Sequence, residues 1–271
     1  MSIRHPFSII ILLPFFAILS CGGKDPVADP VLTTSDFRFS VSETQKVTLS
    51  SGNLQYRPSD HSWRFAPYQY QALGDSNYHI SDTYNGWIDL FGWGTGENPV
   101  QISERDEYYA DFSDWGNHFD GGWRTLSSQE WNYLLNLRPN ASQLKAPGSV
   151  HRVKGLILLP DGWQCPPTVY FTAYPDSNET SYSTNEWRKM EAAGAKFLPY
   201  TGHRSFSSVT GSQQGGYYWT SNANDSGHAS ALYFVGTAGD PASDWFVGIS
   251  VNPSFSYSRH CGLAVRLAKN D

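Results

Sequence analysis

The alternation of apolar and polar positions predicts mostly short strands from Phe37 onward. "FRFSVSETQKVTLSSGNLQYRP" (37–58) alternates on both sides of a Ser-Ser-Gly-Asn turn, which predicts paired opening strands. "SWRFAPYQYQALGDSN" (62–77) continues with aromatics. "NGWIDLFGWGTGENP" (85–99) is too rich in Gly and Trp for a regular helix, and "ERDEYYADFSDWGNHFDGG" (104–122) is an acidic, aromatic loop region. Two stretches switch to the helical period. In "LSSQEWNYLLNLRP", Ser127 and Glu130 form a capping box, Trp131, Leu134 and Leu135 make an apolar stripe, and Pro139 ends the helix. In "SYSTNEWRKMEAAGAKFLP", Ser183 and Glu186 repeat the box. Trp187 and Met190 face the core, and Gly194 closes the helix. Between the helices, "VKGLILLPDGW" reads as one buried strand. "AKFLPYTGHRS", "GGYYWTSN", "SALYFVG", "DWFVGISVN" and "CGLAVRLAK" then follow as strands at hairpin-like spacing.

The first twenty residues stand apart. Arg4 and His5 precede an apolar run, Phe7 to Leu19, that is too short to span a bilayer and suits a signal-peptide core. It ends in "AILSCGG", which resembles a bacterial lipobox and implies cleavage before Cys21 and acylation there. Several acyl chains would hold the protein on a membrane nearly irreversibly. Residues 21–36 read as a tether, and 37–271 as one β-rich, α+β domain with two short helices and long loops.

Composition narrows the partners. Removing residues 1–20 leaves 18 Lys plus Arg against 25 acids, a formal charge of −7 in place of −6. An acidic surface argues against nucleic acid and anionic lipid. Ten Trp, 16 Tyr and 15 Phe are many for this length and read either as platforms for a sugar or protein or as the core of a loop-rich domain. With Cys21 lipidated, Cys165 and Cys261 remain, either as a disulfide or, the favoured reading, as separate thiols packed as small hydrophobes.

The order "GGWRTLSSQEWNYL", "GAKFLPYTGHRS", "GYYWTSN", "GLAVRLA" resembles the bacterial FISUMP-type paralogous domains and the diversified surface lipoproteins of gut anaerobes. The resemblance covers about residues 37–268. It implies a C-type-lectin-like fold, distantly similar to formylglycine-generating enzymes. Some members of that group are rewritten by diversity-generating retroelements, whose adenine-templated changes yield Asn, Asp, Ser, Tyr, His and Gly. "TSNANDSGHASALY" and "SFSYSRHCG" have that composition.

Candidate chemistry is sparse. Cys165 and Cys261 do not match the cysteine arrangement the formylglycine-generating resemblance implies. No C-x-x-C, H-x-x-x-H or nucleophile elbow occurs, so no cofactor is expected. His118 and His203 read as ordinary surface or hydrogen-bonded residues. Asp111 and Asp114 are a conceivable glycosidase pair. The run Glu104, Asp106, Glu107, Asp111, Asp114 offers oxygens to a hard cation but reads better as a solvated loop, and no metal is assigned. The sugar-binding triplets of C-type lectins are missing; "ENP" (97–99) is a scrambled near-match. Arg266, inside an apolar strand, is expected to be buried against a carboxylate.

The expected function is non-enzymatic ligand binding by a cell-envelope lipoprotein, its ligand a protein or glycan. A glycan-binding adhesin of fixed specificity is the alternative, and an enzyme related to sulfatase-modifying factors a more distant one. The two variable-looking segments are expected side by side on one exposed face. The contacts are Asn222, Asn224, Asp225, Ser226, His228, Ser230, Tyr233, Trp245, Phe255, Tyr257, Ser258 and His260. Short adaptable hydrogen-bonders with a few rigid aromatics are what antibody binding loops use.

Overall fold

The computed structural model describes residues 37–173, 181–237 and 248–271. Cys21, the tether and Trp245 lie outside these residues. In chain order the strands are β1 (Phe39–Ser40), β2 (Lys46–Leu49), β3 (Leu54–Arg57), β4 (Ser62–Phe65), β5 (Trp123–Thr125), β6 (Lys145–Val150), β7 (Val153–Leu158) and β8 (Ser181–Tyr182). They continue as β9 (Lys196–Pro199), β10 (His203–Ser205), β11 (Ser208–Thr210), β12 (Gly216–Ala223), β13 (His228–Thr237), β14 (Gly248–Ser258) and β15 (Leu267–Asn270). The α-helices are α1 (Ser128–Asn132) and α2 (Thr184–Ala192). The architecture is α+β, with several small sheets and two short helices, none of the described helices being long and apolar enough to cross a membrane.

Both helices start where the sequence places them. Ser127 and Ser183 each accept from the backbone N–H three residues on, while Glu130 and Glu186 reach back to the cap. Trp131, Leu134, Leu135, Trp187 and Met190 are buried, and Gly194 has φ +92°, a conformation few other residues adopt. After α1 the chain makes a π turn through Leu137 and becomes extended at Arg138, as a residue before proline should.

Four strands run in the order β1-β2-β15-β5, and four more as β8-β6-β7-β9. The predicted buried strand is β7, held between β6 and β9. The expected strand over 261–269 is shorter, since only Leu267–Asn270 forms a ladder. Ahead of it, single bridges join Gly262 to Arg204, Leu263 to Phe91 and Ala264 to Tyr218. This stretch nonetheless divides the interior by alternation. Ala264 and Ala268 belong to one apolar cluster with Leu134, Tyr218 and Phe234, whereas Leu263, Val265 and Leu267 belong to another with Phe91, Trp115 and Trp219.

Arg266 corrects an expectation. It is fully buried but, among the described residues, bonds no carboxylate; its guanidinium donates to the carbonyls of Ser50 (3.2 Å) and Phe197. Burial pulls its pKa down to about 10. Two neutral backbone carbonyls, one just after β2 and one within β9, supply the acceptors, so the charge is stabilised by dipoles.

Candidate functional site

β12, β13 and β14 form an antiparallel sheet with β13 in the middle. Side chains alternate across it. One face carries Tyr218, Leu232 and Phe234 into the first apolar cluster, with Val251 packed against them. The other face carries Tyr217, opposite Tyr233, then Ala231 opposite Phe255 and Ala229 opposite Tyr257. Trp219, Ala229 and Ala231 on this face are buried in the second apolar cluster, while Tyr217, Tyr233, Phe255 and Tyr257 are half-exposed. Here ring centroids lie 4.8 Å apart for Tyr217–Tyr233, 5.1 Å for Tyr233–Phe255, 5.8 Å for Phe255–Tyr257 and 5.7 Å for Tyr217–Tyr257. Ala229 and Ala231, opposite Tyr257 and Phe255, are fully buried. His203, on the β10–β11 hairpin, completes the group at 5.2 Å from Tyr217 and 5.3 Å from Tyr257. Burial draws the His203 imidazole below its ordinary pKa, so it is neutral at pH 7. Burial, then the neighbouring Tyr233, push the Tyr217 phenol up to about 12.

At the open end of this sheet lies the polar turn. The Asp225 carboxylate accepts from the N–H groups of Gly227 (2.8 Å) and His228 (2.7 Å) and lies 3.0 Å from His228 Nδ1. The Gly227 N–H, and after it His228, hold this carboxyl below the usual range. Asn224 bridges two strands, accepting from Ser230 Oγ (2.6 Å) and donating to Ser256 Oγ (3.0 Å). Beneath the turn sits Arg259, only 5% exposed. Its guanidinium donates to the carbonyls of His228 (3.2 Å), Tyr109 (3.1 Å), Ala110 (3.1 Å) and Asp225, and lies 4.4 Å over the Trp93 ring. Its own N–H bonds to the Gly227 carbonyl. Arg259 thus ties the turn to the acidic loop. Asp106 of that loop reaches His260 Nδ1 at 2.9 Å.

The two variable-looking segments are neighbours, with His228 paired to Ser258 and Ala229 to Tyr257. Their side chains do not share one face. Tyr233, Phe255 and Tyr257 point to the aromatic side, and register puts His228, Ser230 and Ser258 on the other. Asn224, Asp225, Ser226 and His228 are exposed, while Ser230 is buried at 4%. Asn222 accepts from the Ser128 N–H (2.7 Å) at the start of α1, so it serves the helix. Tyr257 packs against the second apolar cluster and is partly a core residue. Sequence reading missed Tyr217, His203, Arg259 and the part played by Asp106. Tyr217 was legible, since it alternates with Trp219; nothing local marked the others.

The remaining candidates are dispersed. Asp114 accepts from Gly116 N, Thr125 N and Thr125 Oγ1, which fixes the turn before β5, while Asp111 is exposed. Glu107 faces Arg105 at 3.8 Å. Among the described residues no three His, Cys, Asp or Glu side chains are grouped to hold a metal ion. Cys165 is an exposed free thiol and Cys261 a buried one. His118 Nε2 lies 2.7 Å from the Gly96 carbonyl, and its ring stacks on Trp63. No family model, curated protein or solved structure matches this chain.

Proposed function

We propose that this chain is a non-enzymatic ligand-binding lipoprotein of the cell envelope, anchored through Cys21 and displaying a binding surface built by its C-terminal segment on a C-type-lectin-like domain. Its ligand is a protein or a glycan. The observation that carries the reading is the half-exposed aromatic row of Tyr217, Tyr233, Phe255 and Tyr257, in which Tyr217 and Tyr257 rest on the second apolar cluster and Tyr233 and Phe255 extend beyond it. Half-exposed aromatic rings held on a rigid sheet suit a binding surface. The α+β element mix and the order of the quoted motifs support the finer fold. The composition of 222–230 supports diversification, which a reverse transcriptase gene beside a near-copy of the 3′ end, differing at adenines, would establish.

Tyr233 and Phe255 are the contacts to test, because neither packs against an apolar cluster. The double variant Tyr233→Ala, Phe255→Ala stays folded, its melting temperature lowered by roughly 3–10 °C for the three lost ring pairs, and loses capture on a glycan array or a panel of envelope proteins. Capture undiminished in that variant would refute the assignment of the face. Turnover of polysaccharide or sulfatase-derived peptide by the purified protein would refute the non-enzymatic reading. For the anchor, Cys21→Ala moves the protein to the soluble fraction; a variant that still pellets with salt-washed membranes has no lipid at Cys21.

A further inference from the structure

The two edges of the β12-β13-β14 sheet are treated differently by the rest of the chain. The β12 edge is covered: Trp219 N–H donates to the Ala264 carbonyl (2.9 Å), Ala264 N–H to that of Tyr217 (3.0 Å), and Ser221 N–H to that of Leu126 (3.1 Å). The β14 edge is bare. Among the described residues, no backbone group from Gly248 to Tyr257 bonds to any segment besides β13, while the Ser254 N–H is taken by the Asn252 side chain and the Ser258 carbonyl by the Cys261 N–H. Of the 11 residues of β14, only Pro253 is buried. An edge of that length, roughly 36 Å at 3.3 Å per residue, is ordinarily guarded by charge. "GISVNPSFSYS" contains no Lys, Arg, Asp or Glu. Its one guard is Pro253 with the irregularity beside it, where Ala231 faces Phe255 but Tyr233 faces Asn252. That break separates Ser254–Ser258 from Gly248–Asn252.

We propose that the Ser254–Ser258 edge of β14 receives an extended polypeptide segment of a partner protein by strand addition. The inference rests on the reading of this sheet as the binding surface and makes the ligand a polypeptide. Backbone groups left unpaired at an edge are satisfied best by another backbone, and alternate side chains of the added strand then supply selectivity. Phe255 and Tyr257 lie in this half and belong to the aromatic face, so alternate residues of the added strand would extend that face. Charge sets the partner's character. The full chain carries a formal −6 and the strand none, and the cation next to this edge, Arg259, is buried and engaged with carbonyls, so an acidic segment is repelled and a neutral or basic segment fits.

The test uses random linear peptides of about twelve residues, enough to cover such an edge, selected by display on the immobilised full chain. Selected peptides are resynthesised with single backbone N-methyl groups. The expected result is loss of binding by about tenfold or more at every second position, and a similar loss in Ser254→Lys but not in Ser250→Lys. Insensitivity to both N-methylation and Ser254→Lys overturns strand addition. If that insensitive binding is still abolished by Tyr233→Ala, the aromatic face remains the binding surface. Sedimentation showing a dimer that Ser254→Lys dissociates also overturns the proposal, because the edge would then be filled by a second copy of the chain.

Discussion

Replacing Arg259 with alanine removes a side chain that bonds both the polar turn and the acidic loop. Four carbonyls lose a charged donor: those of Asp225, His228, Tyr109 and Ala110. A hydrogen bond to a charged group contributes about 1.5–3 kcal/mol, and a buried acceptor left bare carries a desolvation penalty. Asp225, His228 and Ala110 are exposed residues whose carbonyls can recover water, whereas Tyr109 is 1% exposed. Counting only the Tyr109 acceptor in full gives about 2 kcal/mol, and the lost stacking on Trp93 adds about 0.5 kcal/mol or more. For a domain of this size that is a fall in melting temperature of roughly 5–10 °C. Arg259→Lys keeps the charge but not the planar fork, so it recovers less than half of the loss. The acceptors are neutral, so the deficit should be nearly the same in low and high salt. Amide exchange should speed up together at 225–228 and 108–111 while Leu232 and Phe234 stay protected. A melting temperature within about 2 °C of the parent, or a deficit that salt abolishes, would show that the guanidinium does not join the two segments.

Asp89 is buried, accepts from Asn77 Nδ2 and Leu73 N–H, and is raised by burial from 3.8 to about 6. Because the folded state holds the proton more tightly, its contribution is full below about pH 3.8 and is lost as pH rises through about 6. Urea midpoints should therefore show a pH-dependent component across that window that disappears in Asp89→Asn; an unchanged profile refutes it. Ser127→Ala and Ser183→Ala each remove a capping-box acceptor and should cost about 1 kcal/mol, measured by urea unfolding. Tyr257→Ala should destabilise more than Tyr233→Ala, since only Tyr257 packs against an apolar cluster. Equal melting temperatures would contradict that packing.

The sequence by itself determined what depends on near neighbours along the chain. Both capping boxes, the buried stripes of Trp131 and Trp187, the glycine after α2 and the buried strand β7 were legible because each rests on contacts three or four residues apart, or on strand alternation. The adjacency of 222–230 and 254–260 was legible for the same reason, as strands at hairpin spacing. Which face each side chain joins was not. Register across β13, with its irregularity between Asn252 and Phe255, sends Phe255 and Tyr257 to the aromatic side and Ser258 to the other. Only tertiary structure could decide that Arg259 reaches carbonyls about 150 residues away, at Tyr109 and Ala110, or that Arg266 rests on Ser50 and Phe197 instead of a carboxylate. A buried guanidinium needs acceptors, and sequence shows that need. The acceptors here are backbone carbonyls, which every residue possesses, so no residue type marks them in advance.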